Sequence, residues 1–209
     1  MEKDRPTTLL LTREQVASVG EVASIAADQA SNALSRLSKI PVRIGVPEVV
    51  SKRLREIPAL IGGLEAPAIG VLIPFQGDME GSALLLFPEK GIRELEEMLF
   101  GSSRQAGDDL RLSAFSEIGN ILTGTLLTVL SSLSERIVIS LGPLIVQDMA
   151  GALLDTILAE VGTWSEEVTA LVFKLTDPEG ASLLRSVLIP GSAGVGLFLE
   201  AAGRLRPGS

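Results

Sequence analysis

The sequence contains no cysteine and no histidine among its 209 residues. Zinc sites built from Cys and His ligands are therefore excluded, as are Ser-His-Asp and Cys-His catalysis. No disulfide can form, so nothing in the composition argues for an oxidising compartment. Any catalysis must depend on carboxylates, amides, hydroxyls, lysine or arginine.

Aromatic residues and long apolar runs are also scarce. Aromatics make up 3% of the chain, with one Trp and no Tyr, so the core must consist mainly of Leu, Ile, Val and Ala. No uncharged apolar run reaches the roughly 18 residues that a membrane span needs. The first residues lack the apolar stretch of a signal peptide. We therefore expect a soluble, cytoplasmic protein.

Positive charge is sparse as well. The formal net charge is −8, and the lysines and arginines are scattered along the chain. Nucleic-acid binding requires a clustered basic surface. We therefore expect no nucleic-acid partner.

Apolar periodicity and turn residues predict an alternation of helices and strands. A helix is predicted to begin after Thr12, which is a suitable N-cap. The predicted helices are 13–38, 89–99, 112–133, 147–160 and 195–202, and the predicted strands are 40–50, 68–75, 82–87, 136–146, 167–175 and 182–189. A polar linker, 101–109, separates two similar halves.

The two halves form an internal repeat. A shift of 96 residues places Glu21 on Glu117 and Pro47 on Pro143. We predict one domain, 13–203, made of repeats 13–101 and 110–203, with a flexible lead-in at 1–12 and a tail at 204–209. The expected fold class is α/β of the α+β type: a single pseudo-two-fold domain with a largely antiparallel sheet and two long motif-bearing helices on one face. Two independent domains are the alternative, but each would bury only a thin core.

A polar row lies on the predicted helix of the second half. Ser113, Glu117 and Asn120 stand at i, i+4 and i+7, so they share one helix face. Asn is a poor residue for a helix interior, and Gly119 costs roughly 1 kcal/mol relative to Ala. This loss of propensity indicates another requirement at these positions. A plain solvated helix face is the alternative interpretation.

The first half carries only part of this row. Its corresponding residues are Ala17, Glu21 and Ser24, so the Glu is present twice and the amide once.

These residues resemble the signature of the CheC/CheX/FliY phosphatases of bacterial and archaeal chemotaxis. That signature is Asp or Ser, three residues, Glu, two residues, Asn, about 22 residues, and Pro, which Ser113, Glu117, Asn120 and Pro143 match. The words Glu-Ile-Gly-Asn-Ile, Gln-Asp-Met and Gly-Asp-Met-Glu-Gly-Ser are also similar to CheC. The resemblance covers about residues 13 to 203.

The resemblance implies hydrolysis of the aspartyl phosphate on the response regulator CheY. Glu117 would contact a Lys of the regulator, and Asn120 would orient a water for in-line attack on phosphorus. Ser113 would have a supporting role and Pro143 a structural one. The resemblance implies no metal or other cofactor on this chain, and Mg²⁺ is expected in the phosphorylated partner.

Two further expectations follow from the resemblance. The site formed by Glu21, Ser24 and Pro47 departs from the pattern, because Ser24 replaces the Asn, and we expect it to be weak or inactive.

CheD, a receptor deamidase, is a further candidate partner, with its binding segment on the predicted helix that contains Asp148. The alternative for Asp148 is a plain acid at a helix N-terminus. The alternative for the whole chain is a binding module that sequesters CheD or a regulator without hydrolysis.

Overall fold

The computed structural model describes residues 10–39, 41–101, 107–163, 165–191 and 193–205. This part of the chain contains six α-helices, eight strands and one 3-10 turn. The helices are α1 (Arg13–Ser38), α2 (Pro58–Ile61), α3 (Glu89–Phe100), α4 (Asp108–Ser134), α5 (Ala150–Gly162) and α6 (Gly194–Leu205). The strands are β1 (Arg43–Ile44), β2 (Glu48–Arg53), β3 (Pro67–Gly77), β4 (Gly81–Pro88), β5 (Val138–Ser140), β6 (Leu144–Met149), β7 (Glu167–Thr176) and β8 (Ser182–Pro190). The 3-10 turn is Leu54–Glu56.

Helix α1 spans the predicted residues, and its ends explain why. The Thr12 hydroxyl accepts a hydrogen bond from the Gln15 amide, and the Gln15 side chain accepts one from the Thr12 amide. This reciprocal pair satisfies two amides that would otherwise lack partners at the start of the helix. The helix ends at Lys39, which adopts a left-handed conformation.

All pairings among the described strands are antiparallel, and all except the two hairpins, β3–β4 and β7–β8, join one half to the other. The sheet order is β1-β7-β8-β4-β3-β5, with β2 also paired to β7 and β6 also paired to β3. The edge strands of each half therefore pair with the hairpin of the other half. Each half therefore lacks the pairing partner of its own edge strands. This arrangement confirms the predicted α+β fold as a single pseudo-two-fold domain and excludes two independent domains.

The sheet separates two apolar cores. Helices α1, α3, α4 and α6 cover one face, where Val22, Phe115 and Phe198 are fully or almost fully buried. Helices α2 and α5 cover the other face, where Ile57 and Leu154 are buried. The two long helices thus lie on one face, as predicted.

The pseudo-symmetry extends to individual hydrogen bonds. The Val42 amide donates to the Ser35 hydroxyl at 3.0 Å, and the Val138 amide donates to the Ser131 hydroxyl at 3.3 Å. Both pairs are related by the same shift of 96 residues. Each serine on a long helix therefore fixes the strand that follows that helix.

Several boundaries differ from the expected ones. Helix α4 begins at Asp108 rather than 112, and α6 continues to Leu205, two residues past the predicted domain end. The prediction of a helix from 147 is wrong, because Gln147–Met149 belong to β6 and pair with Pro67–Ile69 of β3. Residues 1–9 of the lead-in, 102–106 of the linker and 206–209 of the tail lie outside the described residues.

Candidate functional site on helix α4

The predicted polar row lies on the solvent side of α4. Ser113, Glu117 and Asn120 are all exposed, whereas Phe115 and Ile118 between them are buried. Residues three and four apart on a helix have Cβ atoms about 5–6 Å from each other. The helix therefore presents the carboxylate and the amide side by side.

Buried aromatic and apolar contacts hold this part of α4 in place. The ring of Phe115 stacks on Phe87 of β4, with centroids 4.7 Å apart. Ile118 is 3% exposed and belongs to the core on this face of the sheet. The exposed row thus stands on a rigidly packed segment.

Gly119 explains the low helix propensity noted in the sequence. A Cβ at this position would lie 3.0 Å from Val71 Cγ1 and 3.1 Å from Ile73 Cδ1, both on β3. Such contacts are tighter than ordinary van der Waals packing. The glycine allows α4 to approach the sheet closely beside Asn120.

Two side chains of the polar row, those of Glu117 and Asn120, are available to another molecule. Among the described residues, the side chains of Glu117 and Asn120 form no hydrogen bond or ion pair with this chain. A carboxylate and an amide without intramolecular partners can pair with a cation and a water on an incoming surface.

The first-half residues occupy the equivalent face of α1 but are arranged differently. Ala17 and Glu21 are exposed, while Ser24 is partly buried. The Ser24 hydroxyl donates a 2.8 Å hydrogen bond to the Gly20 carbonyl, one turn back along the helix. The hydroxyl is therefore turned toward the helix backbone and not toward solvent.

The two prolines interrupt the edge strands at equivalent points. Pro47 lies between β1 and β2, and Pro143 lies between β5 and β6. Two residues before each proline, a backbone amide donates a hydrogen bond to a carbonyl in the hairpin of the other half. The Gly45 amide donates to the Lys174 carbonyl at 3.0 Å, and the Leu141 amide donates to the Pro74 carbonyl at 2.7 Å. The prolines are thus placed to shape the sheet edge and lie off the helices that carry the polar row.

Asp148 lies on strand β6 and not at a helix N-terminus. It stands opposite Ala68 of β3, and its carboxylate accepts a 2.7 Å hydrogen bond from the Met149 amide. Its surroundings include exposed apolar side chains, because Leu144, Val146 and Met149 on the same edge strand are 56%, 48% and 52% exposed. Sequence reasoning missed this exposed edge, because only the sheet order shows that β6 pairs with β3 alone among the described strands.

Across the described ranges, no group of three or more acidic side chains is placed to hold a metal ion. No described helix combines the length and the apolar character needed to cross a membrane.

Comparison with known families gives one family match. The model of the family "Chemotaxis phosphatase CheX" matches residues 69–156, a span that runs from within β3 into α5 and includes all of α4. The chain is also 27% identical over 172 residues to the CheY-P phosphatase CheC of Bacillus subtilis, covering 80% of this chain and 82% of that protein.

Solved structures of the same fold are also found. The crystal structure of Thermotoga maritima FliY has a TM-score of 0.71 and 18% identity, covering 95% of this chain and all of that one. The FliM middle domain of Helicobacter pylori has a TM-score of 0.62 and 15% identity, covering 91% and 99%. At these identities the structural likeness shows the shared fold.

Proposed function

Because this chain belongs to the CheC/CheX/FliY family of chemotaxis phosphatases, we propose that it hydrolyses the aspartyl phosphate of a phosphorylated CheY-type response regulator. The observation that carries the proposal is the pair Glu117 and Asn120, exposed side by side on a firmly packed helix. This reaction would place the protein in the cytoplasm with its regulator.

Each member of the row has a role in this proposal. Glu117 accepts a charge-assisted hydrogen bond from a lysine of the regulator and so docks α4. Asn120 enters the regulator's site and holds a water in line with the bond between phosphorus and the aspartate oxygen. Ser113 supports the docked helix, and Pro143 shapes the sheet edge beside it.

The chemistry requires neither histidine nor a covalent intermediate. The water attacks phosphorus, the bond to the aspartate oxygen breaks, and inorganic phosphate leaves. Phosphoryl transfer depends mainly on positioning and on charge stabilisation. The regulator supplies Mg²⁺ and its own lysine. The neutral amide can hold the water without repelling the phosphoryl group, as a carboxylate at this position would.

Decay of the phosphorylated regulator tests the proposal directly. We expect a substoichiometric amount of this protein to accelerate Mg²⁺-dependent decay of phospho-CheY from the same organism through several turnovers. No acceleration at micromolar protein, together with measurable binding of the regulator, would assign the chain to the binding modules instead.

Restoring the amide in the first half is expected to have a small effect. In Ser24→Asn, the side chain at position 24 becomes long enough to reach past the α1 backbone, next to the existing Glu21. Two equal sites can at most double the rate per protein, so we expect a gain of no more than about twofold by the same decay assay. Ser24→Ala serves as the control, because the hydroxyl already bonds to the Gly20 carbonyl and its loss should leave the rate unchanged. A fall in rate in Ser24→Ala would show that the first site is active as it stands.

The β6 edge favours a second candidate function, binding of CheD. An exposed edge strand can accept a partner strand through its unpaired backbone groups, and the exposed side chains here are mainly apolar. The opposite edge differs, because Glu48 and Arg53 are exposed on β2. This contrast supports a protein partner at β6, independent of the row on α4.

A charge on β6 should therefore weaken CheD binding. We expect Val146→Arg to lower the affinity for CheD at least tenfold, about 1.4 kcal/mol, while phosphatase activity stays unchanged. Calorimetric titration with CheD measures the affinity. Val46→Arg is the matched control, because Val46 is 88% exposed beside the opposite edge. Wild-type affinity in both Val146→Arg and Asp148→Lys would exclude this edge as the CheD site.

A further inference from the structure

A cavity of about 290 Å³ lies on the face of the sheet opposite α1 and α4. It opens between the loop after α2 and the ends of β4 and β8. Its walls include the apolar residues Ile61, Leu86, Pro88 and Ala150, and its polar members include Ser182 and Arg185. The volume is near the lower end of the range typical of small-molecule sites.

Arg185 brings a cation into this mainly apolar cavity. Its position on β8, opposite Leu86 of β4, directs it to the same face as that buried leucine. The side chain is partly buried and forms no ion pair within the described residues. Its guanidinium lies against the Gly62 backbone, because a Cβ there would be 3.5 Å from Nη1. Gly62 also has a φ of 64°, which other residues rarely adopt.

A second cation stands directly across from Arg185. Lys174 of β7 is its cross-strand partner, and like charges at such positions repel each other. Glu48 of β2 faces the same side, opposite Val172, but forms no ion pair with either cation. In the other hairpin the pairs on this face carry no charge, as with Leu72 opposite Leu84 and Gly70 opposite Leu86. The pair of cations beside the cavity is therefore a feature that packing of the fold does not require.

We propose that this cavity binds a small organic carboxylate with a short apolar body. The Arg185 guanidinium can hold a carboxylate through two parallel hydrogen bonds, and Lys174 adds positive potential. The apolar walls would cover the body of the ligand, and the Ser182 hydroxyl can donate to a carboxylate oxygen. Bound in this way, the anion would relieve the repulsion between the two cations.

The surroundings favour a carboxylate over a phosphate. Phosphate sites commonly use free amides at a helix N-terminus. The first two amides of α5, Ala150 and Gly151, already donate to the carbonyls of Ala66 and Leu64 at 3.0 and 2.8 Å. Among the described residues that line the cavity, Arg185 is the one charged side chain, and its charge matches that of one carboxylate. The site also lies on the face opposite Glu117 and Asn120, so this inference does not depend on the proposed phosphatase activity.

Calorimetric titration with 3-phenylpropionate tests the site. We expect saturable binding of one equivalent, with at least tenfold weaker binding of 3-phenylpropanamide, acetate and inorganic phosphate. Arg185→Met, which keeps an apolar stem and removes the charge, should lower the affinity for 3-phenylpropionate at least tenfold. Lys52→Met is the matched control, since Lys52 is a partly buried cation on β2. The affinity of this variant for 3-phenylpropionate should equal that of wild type.

Three results would overturn the proposal. Neither 3-phenylpropionate nor 4-methylpentanoate binds saturably, or 3-phenylpropanamide binds as tightly as 3-phenylpropionate, or Arg185→Met keeps the wild-type affinity for 3-phenylpropionate. Because Arg185→Met removes a like-charge pair, its melting temperature should match or exceed that of wild type. If that variant instead unfolds, Ser182→Leu decides the question by filling the cavity while Arg185 remains. Retained binding in Ser182→Leu would exclude this cavity as the site.

Discussion

Replacing Asn120 with alanine is expected to slow dephosphorylation of the regulator at least about 100-fold, with little change in binding. A misplacement of a reacting group by about 1 Å can cost a factor of this size, and alanine leaves the water without any support. The fold should not suffer, because Asn120 is exposed, has no intramolecular partner in the described residues, and occupies a helical position that alanine favours. Single-turnover decay at saturating protein measures the step after binding.

The neighbouring residues separate catalysis from docking. Glu117→Ala should weaken binding of the regulator about tenfold and leave the rate at saturation close to wild type, because in the proposed complex the carboxylate contacts the partner away from phosphorus. Thr128→Ala, an exposed residue two turns further along α4, should change neither quantity. If Asn120→Ala keeps the wild-type rate, the water is held by another group and the proposed mechanism is wrong.

The polar row could be predicted from sequence because its geometry is local. Helical spacing alone brings Ser113, Glu117 and Asn120 to one face, and the structure places them there. The reason for Gly119 could not be predicted in the same way. Its close neighbours, Val71 and Ile73, are more than 40 residues earlier in the chain, and only the assembled sheet brings them together.

The prediction of a helix from residue 147 was wrong because long-range strand pairing overrides local helix propensity there. Gln147, Asp148 and Met149 are compatible with a helix, and local propensity places them in α5. The ladder with β3 overrides that propensity, since Met149 stands opposite Pro67 and the following amide, that of Ala150, donates to the Ala66 carbonyl at 3.0 Å. The exchange of edge strands between the halves is likewise a tertiary property, although the repeat itself was visible as a shift of 96 residues.

The second large effect expected is on stability, at Gly91 in α3. A Cβ at this position would overlap the Leu183 carbonyl oxygen of β8 and lie 2.7 Å from its carbonyl carbon. These are backbone atoms of a paired strand, so no side chain can rotate away and α3 must move. Overpacking of this kind costs about 1–3 kcal/mol or more, and the gain in helix propensity offsets up to about 1 kcal/mol. We expect Gly91→Ala to lower the free energy of unfolding by about 2 kcal/mol, which is roughly 4–8 °C in melting temperature for a chain of this size.

Gly196 provides the matched control for this effect. It is the third residue of α6, as Gly91 is the third residue of α3, but a Cβ at Gly196 would have no other atom within 4 Å. Gly196→Ala should therefore stabilise the protein by about 0.5–1 kcal/mol, the opposite sign to Gly91→Ala. Thermal unfolding of both variants under the same conditions tests the pair. Equal shifts in the two variants would mean that α3 can move off β8 at little cost, and that the close approach at Gly91 is not a constraint on the fold.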